Sequence, residues 1–375
     1  MILGIDGRLA NAKRPAGVGH YCREVLRALG ELDAGLWLRV YLDDEPVPEL
    51  PVRRDRIRML PRGPLWTHRI LANELRSHPP DVFFSPLAQS PWRCPCPTLV
   101  TVLDLAAWSH PSFFPWRKRL TMKMQARHAI GAAGHLVAIS EATATDLAQR
   151  FRLDSARITV APLGCGERFF NPAPPEPGTI LASLPERYVL YLGQVQPRKN
   201  LLRLIAAFER VLTAHPALPH HLVLAGGLGW QNEAIYRAAF DSSAAERIQF
   251  VDYVSDAQVP ALLAGADVLA LVSLWEGFGL PALEAMAAGT AVLISNCSSL
   301  PEVVGDAGVL VEPENENAIA DGLARLLLDD GLRAQCEERG RSRARAFTWE
   351  RTARAILDAA QGLTRPKDLK RVSSR

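Results

Sequence analysis

Glu276 and Glu284, separated by Gly277-Phe-Gly-Leu-Pro-Ala-Leu283, place two carboxylates around a short glycine-containing loop. The first follows an apolar run, Val268-Leu-Ala-Leu-Val-Ser273. The second is expected in the first turn of a helix that Pro281 is suited to open. A Gly277-Phe278-Gly279 loop between a parallel-type strand and a helix leaves backbone N–H groups uncovered, with Leu280 at the helix start, and the helix N-terminus adds positive potential. Carboxylates beside such donors suit the hydroxyls and phosphates of a sugar nucleotide. The plainer alternative is that Glu284 complements the helix dipole and Glu276 is a solvated loop charge.

Gly193-Gln-Val-Gln-Pro-Arg-Lys-Asn200 also lies between a strand and a helix. It brings Arg198 and Lys199 to the helix start, where mutual repulsion and the helix dipole disfavour them. A bound diphosphate would reverse that penalty, with arginine offering a fork and lysine a point charge. Ala16-Gly-Val-Gly-His20 opens a further helix after the first strand, and Gly17 and Gly19 permit positive φ and close approach of a ligand to the backbone. Asp104 ends the run Leu99-Val-Thr-Val-Leu103, with Ser109 and His110 following in its loop. It reads equally as a site residue at a strand end or as a loop cap. The sequence contains no D-x-D segment to hold a divalent ion against a diphosphate, so metal-independent chemistry without a cofactor is expected.

These residues need elements to position them. Apolar runs recur at Tyr188–Leu192, Leu222–Ala225, Ile248–Val251, Val268–Val272, Ala291–Ile294 and Val309–Val311, with helical patterns between most of them. Continuous apolar strands alternating with helices imply a parallel sheet covered on both faces, whose ligands bind outside the carboxyl ends of the strands. The first half repeats the scheme at Ile2–Asp6, Leu36–Leu42, Ile57–Leu60, Val82–Ser85, Leu99–Leu103, Leu136–Ile139 and Ile158–Ala161. Four prolines and a glycine within Asn171–Gly178 read as a stiff hinge. The expected organisation is an N-terminal domain over 1–170, a hinge over 171–186, a C-terminal domain over 187–349 and a basic tail over 365–375.

The 375 residues exceed what one core usually serves, in keeping with two domains. A net charge of +3 is too small to argue for nucleic acid. No apolar stretch approaches the ~20 residues needed to cross a bilayer. The N-terminus lacks a basic start and a cleavage site, and six scattered cysteines read as reduced thiols, so a cytoplasmic protein is expected. Cys94-Pro-Cys96 is the one close pair and is weak as a zinc site. Residues 116–128 mix five Arg or Lys with Trp116, Leu120, Met122 and Met124; they read as a solvated helix with one face in the core, or as a peripheral contact with an anionic membrane.

With these motifs in place, the chain resembles the family 4 glycosyltransferases of the GT-B fold over nearly its whole length. Glu276…Glu284 is similar to that family's E-x7-E signature, Gly193–Asn200 to its phosphate-binding loop and Gly17-Val-Gly19 to its N-terminal glycine loop. Ala161-Pro-Leu-Gly164, Phe250-Val-Asp-Tyr-Val254, Ser298-Ser-Leu-Pro-Glu302 and Phe347-Thr-Trp349 are further similarities. The resemblance implies two Rossmann-like domains facing each other across a cleft, with a C-terminal helix over 350–364 crossing back to the N-terminal domain. It implies retaining transfer of a hexose from a nucleotide-sugar donor, weakly favouring a GDP-hexose such as GDP-mannose. The acceptor would be a glycan, a lipid-linked glycan or a small molecule. By position, Arg198 and Lys199 would bind the diphosphate, Glu276 the donor sugar beside Gly277, Phe278, Gly279 and Leu280, Glu284 the ribose, and the loop holding Tyr253 would lie near the base. One departure stands out: relatives often carry His-Asp where this chain has Leu103-Asp104. Gln194 is a second, since some relatives place an Arg after the glycine. The competing expectations are another GT-B enzyme, an epimerase or phosphorylase, and a non-catalytic nucleotide-sugar-binding module.

Overall fold

The computed structural model describes residues 1–13, 17–32, 35–174, 180–227 and 229–364. It divides into two α/β units, Met1–Pro162 with the segment from Trp349, and Leu163–Thr348. The first holds seven strands: β1 (Ile2–Asp6), β2 (Trp37–Leu42), β3 (Ile57–Met59), β4 (Val82–Ser85), β5 (Thr98–Val102), β6 (His135–Ala138) and β7 (Ile158–Val160). The second holds six: β8 (Tyr188–Leu192), β9 (His221–Ala225), β10 (Ile248–Val251), β11 (Val268–Leu271), β12 (Ala291–Ser295) and β13 (Val309–Val311). Each apolar run expected as a strand is one, with ends displaced by a residue in several.

All pairings are parallel, in the orders β3-β2-β1-β4-β5-β6-β7 and β10-β9-β8-β11-β12-β13. The central strands β4, β5, β11 and β12 are buried at every residue, as a sheet covered on both faces requires. In each sheet the order reverses direction once, between β1 and β4 and between β8 and β11. Chains leaving neighbouring strands there run to opposite faces, which opens a crevice beyond their carboxyl ends. The candidate residues on Gly193–Asn200 and Ser273–Glu276 follow β8 and β11, the pair flanking this position in the second sheet.

The helix Trp349–Thr364 belongs to the first unit, as the resemblance implied for the last helix, and begins one residue earlier than expected. It buries Trp349, Thr352, Ala353, Ile356, Leu357 and Ala360, a 3–4 spacing that forms one apolar stripe. Trp349 packs edge-on against His20 of the helix Gly17–Leu32, with ring centres 6.2 Å apart. Thr352 Oγ1 donates to the Pro162 carbonyl at 2.5 Å.

The boundary between the units falls at 162/163, upstream of the expected hinge at 171–186. Phe169 is buried and the Cys165 N–H donates to the Phe347 carbonyl at 3.0 Å, both within the second unit. Proline content marks a stiff segment, but buried anchors decide which core owns it. Residues 175–179 of that segment, Ala16 of the glycine loop and the basic tail 365–375 lie outside the described residues.

Candidate active site

The site in the second unit is built by two loops meeting beyond β8 and β11. Gly193 leaves β8 with φ of 150° and its N–H donates to the Ala225 carbonyl at 2.9 Å. Its neighbour across the sheet is Gly226, at φ 137°, where an added Cβ would sit 2.2 Å from the Gly193 carbonyl oxygen. Only glycine permits that approach. The loop then closes through a 3₁₀ turn, Pro197–Lys199, into the helix Leu201–Ala214. Asn200 joins them in the left-handed conformation, which asparagine tolerates better than most residues. Its side-chain amide donates to the carbonyls of Val272 at 3.0 Å and Pro313 at 2.7 Å, and the Leu274 N–H donates to the Arg198 carbonyl at 2.9 Å. These bonds lock the turn that carries Arg198 and Lys199 to the end of β11.

Glu276 receives both cations. Lys199 Nζ is 2.6 Å from Glu276 Oε1 and Arg198 Nη1 is 3.0 Å from Oε2, while Arg198 also donates to the Trp275 carbonyl. Ser273 Oγ donates to Oε1 at 2.6 Å, the Glu276 N–H donates to Ser298 Oγ at 3.0 Å, and Ser299 Oγ donates to the Glu276 carbonyl at 3.0 Å. Lys199 and Glu276 are both buried. Burial pushes the Glu276 carboxyl up, but the charges of Lys199 and Arg198 and the hydrogen bonds from Lys199 and Ser273 outweigh it and bring the pKa to about 2. Glu276 is thus no solvated loop charge. The repulsion expected between Arg198 and Lys199 is already offset within the protein, by a carboxylate 77 residues away from Lys199.

Gly279, at φ 100°, caps the helix Leu280–Ala288, and an added Cβ there would lie 2.5 Å from Leu300 Cδ2. Pro281 occupies the helix start as expected, yet the first turn holds no acidic residue. Glu284 lies one turn further along and is buried, so it faces protein rather than merely complementing the dipole. Burial, reinforced by the Glu284 charge, pushes the Cys165 thiol pKa up. Phe278 is buried edge-on against Phe347 at 6.0 Å, and Tyr253 is exposed in the loop after β10.

The remaining candidates belong to the first unit. Gly17 and Gly19 are the first and third residues of the helix Gly17–Leu32, so the glycine segment opens a helix as expected. β5 ends at Val102, so Asp104 is past the strand rather than at its end. Its Oδ1 accepts the Ala106 N–H at 3.0 Å, the local cap weighed from sequence. Sequence reasoning missed Ser273 and Asn200 as supports of the acidic and basic side chains. Both lie inside motifs that were recognised, but their partners are distant in sequence. Among the described residues no three His, Cys, Asp or Glu side chains cluster as metal ligands.

Two parallel α/β units, one holding a basic phosphate-type loop against a buried carboxylate, define the GT-B class of fold. A sequence model of "Glycosyltransferase Family 4" matches residues 15–165 and one of "Glycosyl transferases group 1" matches residues 179–343. The chain is 28% identical to the O-antigen chain mannosyltransferase B of Escherichia coli, over 82% of this chain and 80% of that one. It is 30% identical to a D-inositol 3-phosphate glycosyltransferase of Actinosynnema mirum, over 74% and 69%. The sucrose-phosphate synthase structure of Thermosynechococcus elongatus superposes with a TM-score of 0.77 at 22% identity, covering 96% and 98% of the two chains. The chain belongs to the family 4 glycosyltransferases and is a glycosyltransferase enzyme.

Proposed function

We propose that this glycosyltransferase moves a hexose from a nucleoside diphosphate sugar to a glycan, lipid-linked or small-molecule acceptor, with retention and without a metal ion. The observation that carries the proposal is the Arg198–Lys199–Glu276 cluster beyond β8 and β11. Two cations gathered on one carboxylate in a largely dry loop present charged donors suited to an anionic ligand. In this reading an arriving diphosphate takes over Lys199 and Arg198, and Glu276 turns its oxygens to the hydroxyls of the donor sugar. Backbone N–H groups over Gly277–Leu280 lie beside it, Glu284 binds the ribose and the Tyr253 loop meets the base. As the bond to the sugar breaks, negative charge grows on the departing diphosphate, and fixed cations that bind it more strongly lower the barrier. The donor proposed is a GDP-hexose such as GDP-mannose; the similarity to a protein named as a mannosyltransferase supports it. Calorimetric titration of GDP, UDP, dTDP and ADP, with and without EDTA, tests the reading. GDP should bind about tenfold more tightly than the others, indifferent to EDTA. Preference for another base moves the donor, chelator sensitivity removes the metal-free site, and binding of none removes the assignment of this cluster to a donor.

The acceptor reading includes a membrane contact. Trp116, Leu120 and Met124 recur every fourth residue on the helix Trp116–Ala132 and are 63%, 53% and 64% exposed. Arg117, Lys118, Arg119, Lys123 and Arg127 surround them, and the helix has no acidic residue. Burial in the core is confined to Ala126, Ala129 and Ile130, at its far end. Such a stripe suits the surface of an anionic bilayer. No described helix is long and apolar enough to cross one. The protein should co-sediment with phosphatidylglycerol vesicles at low salt and Leu120→Glu should release it; equal partition of both proteins would overturn the contact.

A further inference from the structure

In the first unit the carboxyl ends of β1 and β4, where that sheet reverses its order, open into a cavity of about 300 Å³ that includes Asp6, Arg8 and Ser85. Gln89 is shared with a larger neighbour of about 520 Å³, lined on one side by Trp66, His68 and Trp92 and on the other by Met124 and Gln125. Among the described residues the larger cavity has no Asp, Glu, Lys or Arg in its wall. His68 is held towards its neutral form, first by burial and then by the nearby His128. A phosphate or carboxylate would find no fixed counter-charge there.

What the wall offers instead is a ring surface and uncharged hydrogen-bonding groups. Trp92 stacks on His68, with ring centres 4.2 Å apart and planes at 13°, yet remains 58% exposed. The contact between Gln89 and Gln125 is 3.5 Å, at the limit of a hydrogen bond, so both amides can exchange it for a better partner. Trp66 Nε1, His68 Nδ1 and Ser90 Oγ are buried without any partner, three such atoms around one cavity. Native structures satisfy nearly all buried polar atoms, so a group of three without a protein partner calls for water or a ligand to satisfy it.

The backbone here is also unusual. Leu65 adopts left-handed φ of 53°, and it leads into a π-helical turn at Thr67–Leu71 that sets Thr67 and His68 on the wall. π turns and left-handed non-glycine residues concentrate at functional sites, where surrounding structure holds them in place. That support is present: Arg8 lies over the Trp66 ring at 3.9 Å, donates to Thr67 Oγ1 at 2.8 Å and pairs with Asp6 at 2.7 Å.

We infer that this cavity binds an uncharged hexopyranose ring of the acceptor, with its C–H face on Trp92 and its hydroxyls on Gln89, Gln125 and, once Trp92 and His68 adjust, the enclosed polar atoms. The assignment to the acceptor rests on the transferase reading above. The cavity meets the exposed stripe of the helix Trp116–Ala132 at Met124, so a sugar seated there lies beside the side chain that would face a lipid.

Saturation-transfer NMR on the full chain, with methyl α-D-mannopyranoside, methyl α-D-glucopyranoside, α-1,3-mannobiose and glucose 6-phosphate, tests it. The nucleoside diphosphates are titrated in the same samples. At least one neutral glycoside should bind, and Trp92→Ala should weaken it about tenfold or more while Trp92→Phe restores most of the affinity. Nucleotide binding should be the same in all three proteins. Because Trp92 is exposed, neither substitution threatens folding. The inference is overturned if no neutral glycoside binds the wild type, if Trp92→Ala binds as the wild type does, or if glucose 6-phosphate binds best. Nucleotide binding without glycoside binding would remove this cavity and leave the transferase reading standing. Trp92-dependent glycoside binding without any nucleotide would do the reverse.

Discussion

Lys199→Ala should weaken nucleoside diphosphate binding by about 1–3 kcal/mol, roughly fivefold to 150-fold, the range for a hydrogen bond to a charged group. The expectation comes from where the ammonium is held. It is buried at the start of a helix, at the end of a locked 3₁₀ turn, and 2.6 Å from Glu276. Water cannot substitute for it cheaply in so enclosed a place. The fold should tolerate the change better than the ligand does. Glu276 keeps Arg198 at 3.0 Å and Ser273 at 2.6 Å, so its charge stays compensated. The loss in transfer should equal or exceed the loss in binding, since the diphosphate gains charge as it departs. Calorimetry on the variant reads the first effect and initial transfer rates the second; unchanged affinity would remove Lys199 from the diphosphate site.

Glu276→Gln should behave differently. Without the carboxylate, buried Lys199 and half-buried Arg198 lose a shared anionic partner, and removing one member of a buried pair costs about 3–5 kcal/mol. A nucleoside diphosphate resupplies the negative charge. Its affinity should stay close to wild type, its stabilising effect on unfolding at equal free ligand should therefore match that in the wild type, and transfer should fall on the order of a hundredfold or more. A variant with wild-type turnover would sink the role given to Glu276. The same carboxylate gives the wild type an acid-sensitive component. Its folded pKa, about 2, lies below the unfolded value of roughly 4.5, so its contribution is complete above the unfolded pKa and is lost as pH falls through 4.5 towards 2. The size is about 3 kcal/mol, taking 1.36 kcal/mol per pKa unit. Denaturant unfolding of wild type and variant at about pH 5 and pH 3 should show the wild type losing more of its stability; equal losses would mean Glu276 is not held ionised by its partners.

The parallel sheets were legible because their signal is local. A strand buried on both faces must be apolar almost throughout, and that holds for Val82–Phe84 of β4 as for Val268–Leu271, whatever they pack against. The loops after β8 and β11 were legible for the same reason: glycines, proline and charged residues between a strand and a helix restrict what those few residues can do. Local composition misled where anchoring is remote. The Pro-rich stretch after Asn171 reads as the domain boundary, but Phe169 and the Cys165–Phe347 hydrogen bond assign the chain from Leu163 to the second unit.

By itself the sequence determined two parallel α/β units, the order of their strands along the chain, and the residue types at the ends of β8 and β11. Those features depend on neighbours within a turn or a strand. Only the tertiary structure decided that Lys199 and Arg198 neutralise Glu276, that Asn200 ties their turn to Val272 and Pro313, and that Trp66, His68 and Trp92 share a cavity with Gln125. Each of these joins residues tens of positions apart, and the energy of a charge or a buried polar atom depends on what surrounds it in space rather than along the chain.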